Sequence, residues 1–170
     1  MTVSTASGSA TSGPSAVTIY TDGACRCNPG PGGYGVVLMS GELRKELSAG
    51  FEHTTNNRME LLAAIVGLEA LKKPCTVTLY TDSKYIVDAM KQGWAKRWRA
   101  NNWKRNRKEA AKNPDLWERL LDLANRHKVS FCWVKGHSGD VENERCDRLA
   151  VAASHSSDLE VDAIYVRGGA

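Results

Sequence analysis

The stretch IYTDGACRCNPGPGGYG, residues 19–35, decides how the rest of the chain is read. A short apolar run ends on Asp22, and a glycine- and proline-rich bend follows. Sixty positions later LYTDSKYI, residues 79–86, ends the same way on Asp82. Asp-Gly and Asp-Ser are common turn pairs, so each aspartate alone reads as a turn residue. The repeat of Tyr-Thr-Asp weakens that reading. If the two runs are neighbouring parallel strands, ~4.8 Å apart, both carboxylates stand at one sheet edge. Open sheets bind ligands at that edge.

The flanking sequence supports this placement. Strands are expected at 17–21, 34–39 and 43–51, with a turn at Ser40-Gly41 making an antiparallel meander. Residues 56–73 read as a helix stopped by Pro74, 77–81 as a strand, and 83–92 as a helix ending at Gly93. A helix over 114–127, a strand over 129–134, a loop over 135–140 and a helix over 142–155 complete the pattern. The order is βββ-α-β-α-α-β-α. A strand–helix–strand link favours a right-handed parallel crossover, which sets the first and fourth strands side by side. Residues 1–16 are rich in Ser, Thr, Gly and Ala and read as a disordered tail, with neither a basic start nor a long apolar run of a signal peptide. The domain is expected over 17–155, with a weakly patterned C-terminal tail over 156–170.

A chain of 170 residues suits one domain with its own core. No apolar run approaches the ~20 residues of a membrane span. The five cysteines are irregularly spaced, and Cys25-x-Cys27 has no second pair to complete a zinc site. They read as reduced thiols of a cytoplasmic protein, with Cys132 and Cys146 in core positions. Charge is unevenly placed. Residues 84–112 carry ten Lys/Arg against Asp88 and Glu109, a local +8 in a chain of net +4, so the remainder is −4. Such an island is either a solvated helical face or a contact for a polyanion.

Two adjacent carboxylates repel unless a cation lies between them, and oxygen ligands suit Mg²⁺ or Mn²⁺. Glu60 has two readings. Asn57-x-x-Glu60 fits a capping box at a helix start. Yet helical spacing stacks Glu60 with Ala63, Ala64, Gly67 and Leu71, a small apolar stripe facing the sheet, where a carboxylate needs a partner. Asp147 likewise shares its helix with Cys146, Leu149, Ala150 and Val151, and is read as an ion-pair partner or a ligand. His137 lies in the Gly-His-Ser-Gly loop, where an imidazole is either solvated or placed for proton transfer. Trp94, Trp98 and Trp103 alternate with Lys96, Arg97, Arg99, Lys104, Arg105, Arg107 and Lys108. They read as core residues or as part of a grip on a nucleic-acid backbone.

Taken together, YTDGACRCNPGPGGYG, TTNNRMELLAAIVGLEAL, YTDSKYI, DLWERL and WVKGHSGDVENERCDRLA resemble the type 1 ribonuclease H family, close to its bacterial form, over about 17–155. The resemblance implies an α/β ribonuclease H-like fold, a mixed five-stranded sheet with helices on both faces. It implies endonucleolytic cleavage of the RNA strand of RNA–DNA hybrids, leaving 5′-phosphate and 3′-hydroxyl ends, by a monomer with no obligate protein partner. Asp22, Glu60, Asp82 and Asp147 match the family's acid tetrad, which would hold two Mg²⁺ ions, with Mn²⁺ as a substitute. His137 matches a histidine that assists proton transfer or product release. Asn28, Asn56 and Asn57 match positions that contact the hybrid, where amides read the 2′-hydroxyl. Ser83 and Lys84 stand with them, and Trp94, Trp98, Trp103, Lys104 and Arg105 match a basic protrusion that grips the DNA strand. Cys27 departs from an expected small residue, often Gly, and Lys84 from a frequent Gln. The alternatives are a non-catalytic hybrid-binding module, or a related-fold DNA nuclease or resolvase.

Overall fold

The computed structural model describes residues 15–170, so most of the expected N-terminal tail lies outside the described residues. The elements in chain order are β1 (Ser15–Cys25), β2 (Gly30–Ser40), β3 (Leu43–Thr54), α1 (Asn56–Glu69), β4 (Cys75–Thr81), α2 (Lys84–Lys91), α3 (Trp94–Ala100), α4 (Pro114–Arg126), β5 (Lys128–Trp133), α5 (Val141–Ser154) and α6 (Ala163–Val166). The chain forms one five-stranded sheet in the order β3-β2-β1-β4-β5. β1, β2 and β3 make the antiparallel meander, and β4 and β5 add in parallel to β1.

The expected pairing of the first and fourth strands is present. Tyr20 faces Tyr80 and Thr21 faces Thr81 across the β1–β4 ladder, and the two tyrosine rings stack at 4.7 Å. Asp22 and Asp82 follow these pairs directly, so the shared register delivers both to one edge. β1 starts at Ser15, two residues ahead of the expected boundary, because Ser15 and Ala16 continue the ladder to Cys75 and Thr76.

Helices cover both faces. α1 lies on the face carrying Ile19 and Val36, and α4 packs beside it. α5 crosses the opposite face, where the Cys146 thiol meets the Tyr20 carbonyl at 3.2 Å. Burial raises the Cys146 thiol pKa, so it behaves as core packing, as expected from sequence. α2, α3 and α4 meet around Tyr85, Trp98 and Trp117, whose rings lie 5.7–6.2 Å apart.

Three features differ from the sequence expectation. α1 ends at Glu69, before Pro74, with Ala70 as its C-cap. Its N-cap is Thr55, whose hydroxyl accepts from the Arg58 amide at 3.2 Å, so Asn57 and Glu60 do not form the capping box. Finally, the segment after His155 is tied to the domain. Glu160 bridges the edge strand at Phe51, its amide donating to the Gly50 carbonyl at 2.8 Å and its carbonyl accepting from the Glu52 amide at 2.9 Å. Further along, Asp162 accepts from Thr54 Oγ1 at 2.8 Å and from Arg58 Nε at 2.7 Å.

Candidate active site

The site is built from the ends of β1 and β4 and the fifth residue of α1, Glu60. Asp22 is buried at 4 % exposure, and Glu60 at 6 %. Gly23 makes this approach possible: a Cβ there would stand 2.5 Å from the Glu60 backbone nitrogen and 2.6 Å from the Met59 carbonyl carbon. Without that side chain, α1 lies directly on the end of β1. Carboxylate oxygens of Asp22, Glu60 and Asp82 then fall within 4.8 Å of one another.

Three carboxylates this close are electrostatically unfavourable as anions. Burial, followed by the charge of Asp82, pushes the Asp22 pKa up to about 8. Burial and the neighbouring Asp22 and Asp82 push Glu60 well above its usual range. Burial also raises Asp82. Glu60 Oε2 has no hydrogen-bond partner among the described residues although it is shielded from solvent. A buried acceptor without a donor costs about 1–3 kcal/mol. A divalent cation removes both difficulties, and an all-oxygen donor set fits a hard ion. The cluster therefore fits a divalent metal.

Asp147, on α5, stands outside the tight triad but near it, since its charge raises the pKa of both Asp22 and Asp82. It is half-buried. The 135–140 loop closes on Asp82. A Cβ on Gly136 would lie 2.8 Å from Asp82 Oδ2, so the backbone there passes against the carboxylate. His137 follows, exposed and at φ 55°, and its charge reaches Asp82.

Asn143 was not singled out from the sequence. It is 2 % exposed, one helical turn before Asp147, and its side chain favours the Asp82 carboxylate. Its Nδ2 lacks a partner in good hydrogen-bond geometry among the described residues. The legible signal was a polar residue at i−4 from Asp147 on an otherwise apolar helix side.

The asparagines gather on one rim. Asn28 Oδ1 accepts from the Asn56 amide at 3.0 Å, which ties the β1–β2 bend to the start of α1. Asn28 and Asn57 are exposed there. Cys27, beside Asn28, is exposed with φ 56°, the left-handed region that favours glycine, which accounts for the Gly expected there. Ser83 caps α2, accepting from the Ile86 amide at 3.3 Å. Lys84 is exposed at the first position of α2.

The basic island folds as α3 and a small hairpin closed by a Lys104–Ala110 bridge, with Lys104 and Arg105 exposed. Trp94 and Trp103 are half-buried against the core. Trp98 departs from the expected contact surface: at 8 % exposure it packs against Tyr85 and Trp117. Its ring holds the island to the body, while the cations face outward.

The family described as RNase H matches residues 14–155. The chain is a member of the RNase H family. It is 66 % identical over 149 residues to a ribonuclease H of Trichodesmium erythraeum, covering 88 % of this chain and 95 % of that protein. It is 61 % identical over 150 residues to ribonuclease HI of Synechocystis, covering 88 % and 94 %. Among solved structures, LC9-RNase H1, a type 1 RNase H with the type 2 active-site motif, superposes with a TM-score of 0.77 at 32 % identity, covering 93 % and 82 %. LC11-RNase H1 in complex with RNA/DNA hybrid superposes with a TM-score of 0.63 at 28 % identity, covering 82 % and 96 %. This RNase H is thus of the bacterial type 1 form, with the mixed-sheet architecture that the sequence resemblance implied. RNase H enzymes depend on divalent metal, and among the described residues Asp22, Glu60 and Asp82 form an acidic group whose spacing fits such an ion. No helix among the described residues is long and apolar enough to cross a membrane.

Proposed function

We propose that this RNase H hydrolyses the RNA strand of RNA–DNA hybrids at the Asp22–Glu60–Asp82–Asp147 cluster, leaving 5′-phosphate and 3′-hydroxyl ends. The observation that carries the reading is the trio of mutually repelling carboxylates, with Glu60 Oε2 buried and unpartnered. Asp22, Glu60 and Asp82 would hold two Mg²⁺ ions, with Mn²⁺ as a substitute, and Asp147 would complete the set from α5. Bound there, such ions would neutralise the cluster and supply Lewis-acid activation of water and stabilisation of the leaving 3′-oxygen. The chain's own residues do the rest. Tyr20–Tyr80 register keeps Asp22 and Asp82 at one spacing, and the loop backbone at Gly136 limits how far Asp82 swings. His137, exposed beside Asp82, moves a proton or helps release the product.

Asn28, Asn56 and Asn57 form the rim that distinguishes the ribose strand through its 2′-hydroxyl. Lys104 and Arg105, on the island anchored by Trp94, Trp98 and Trp103, grip the DNA strand through its phosphates, giving affinity with little sequence preference. Ser83 and Lys84 contact the hybrid beside the cluster. The protein works as a cytoplasmic monomer without an obligate protein partner. The test is a cleavage panel of RNA–DNA hybrid, duplex RNA, duplex DNA and single strands, each with Mg²⁺ and with Mn²⁺. Cleavage confined to the RNA of the hybrid is expected. Cleavage of duplex DNA with the hybrid spared would assign a DNA nuclease, and tight hybrid binding without cleavage would assign a binding module.

A further inference from the structure

Trp133 ends β5 opposite Thr81, beside the strand that delivers Asp82. It is a large aromatic residue left 48 % exposed at the functional edge of the sheet. Two contacts explain what it does there. Its Nε1–H donates to the Asp82 backbone carbonyl at 3.1 Å. Its ring faces Lys84, with Nζ 5.8 Å from the ring centroid, within the range of a cation–π contact. Lys84 is the first residue of α2, where the helix dipole disfavours a cation. It takes part in no ion pair among the described residues. The indole therefore holds an ammonium without an anion, next to a metal-ligand strand end.

We infer that Trp133 is a positioning residue with two separable roles: its indole N–H restrains the backbone of Asp82, and its π face presents Lys84 to a backbone phosphate of the bound hybrid. The missing counter-ion of Lys84 is then supplied by the substrate. This rests on the hybrid-cleaving reading above.

The two roles separate by substitution in the full chain. Initial rates on a labelled RNA–DNA hybrid are measured in Mg²⁺ across a KCl series, with thermal midpoints read alongside. Trp133→Phe keeps a ring and loses the donor. It is expected to lower kcat about threefold, the scale of one hydrogen bond, with KM and its salt dependence unchanged. Lys84→Met is expected to raise KM about two- to fivefold and to reduce the salt slope by about one, with kcat unchanged. Trp133→Leu should show both effects, and Trp133→Leu combined with Lys84→Met should raise KM no further than either alone. A purely structural role for Trp133 would lower the thermal midpoint without splitting kcat from KM. A wild-type salt slope in Lys84→Met and Trp133→Leu, or KM effects that multiply in the double variant, would overturn the inference while hybrid cleavage stands. A wild-type chain that cuts no hybrid would overturn the functional reading, and this inference with it.

Discussion

Two buried charged clusters lie two residues apart on the same helix, and they are built in opposite ways. Arg58, 1 % exposed, is saturated. It forks onto Asp115 at 2.9 and 2.8 Å and onto Asp162 at 2.7 and 2.9 Å, and reaches Asn113 at 3.3 Å. Burial disfavours its charge, but the two carboxylates outweigh that and raise its pKa. Glu60 faces the sheet beside Asp22 and Asp82, with one oxygen unpartnered among the described residues. The first cluster satisfies every charge from within the chain and joins α1, α4 and the C-terminal segment. The second leaves its charges for a ligand from outside. Unpaired like charges in a protein's interior are costly to keep, and a bound cation would relieve that cost here.

The contrast predicts opposite outcomes for removing a charge. Asp22→Asn should lower hybrid cleavage on the order of 10⁴-fold, the scale for loss of an essential catalytic group, while hybrid binding survives. Full activity in Mg²⁺ would reject the metal cluster. Without metal the same variant should be more stable than wild type. The raised Asp22 pKa means that stability is lost as pH rises from the unfolded value through about 8, and Asn removes that loss. The gain, about 5 °C in Tm at pH 8 in chelator, should shrink as pH falls toward 4.

Arg58→Met should act in the other direction. It strands Asp115 and Asp162 and is expected to cost about 3–5 kcal/mol in denaturant unfolding, with kcat largely intact while the variant is folded. An unchanged unfolding midpoint would show that this cluster carries no structural weight. Mg²⁺ at about 100 times its Kd should stabilise wild type by about 2.7 kcal/mol and Asp22→Asn by much less. Equal stabilisation would place the ion elsewhere. Replacing Lys104 and Arg105 with Ala should weaken hybrid binding and reduce its salt slope by up to about two, and an unchanged slope would return the island to a solvated face. The smallest effect belongs to Asp162. Burial opposes its charge, but hydrogen bonds from Arg58 and Thr54 prevail and hold its pKa low. Its contribution is present above the ordinary aspartate range and is lost as pH falls through the depressed value. Asp162→Asn should therefore lower Tm by a few degrees at pH 7, with the difference closing in acid.

Sequence periodicity and the repeated Tyr-Thr-Asp revealed the strands, their parallel pairing and the two aspartates, because these depend on local pattern and one topological rule. Glu60 was legible as a carboxylate on a buried stripe. What escaped was decided at a distance. The true cap of α1, Thr55, was hidden by Asn57 and Glu60 in capping-box spacing. α3 was obscured because its cations mask the burial of Ala95 and Trp98. The ordering of the C-terminal segment rests on Asp162 meeting Arg58, 104 positions away, which no local pattern encodes.

The strand order also has a temporal meaning. β1, made early, occupies the centre of the sheet, and its inner partner β4 is made fifty residues after β1 ends. Asp147 and His137 follow later still. A ribosome therefore extrudes Asp22 well before its partner Asp82 exists. The domain is complete only when the last long helix, α5, closes over a sheet begun from its middle.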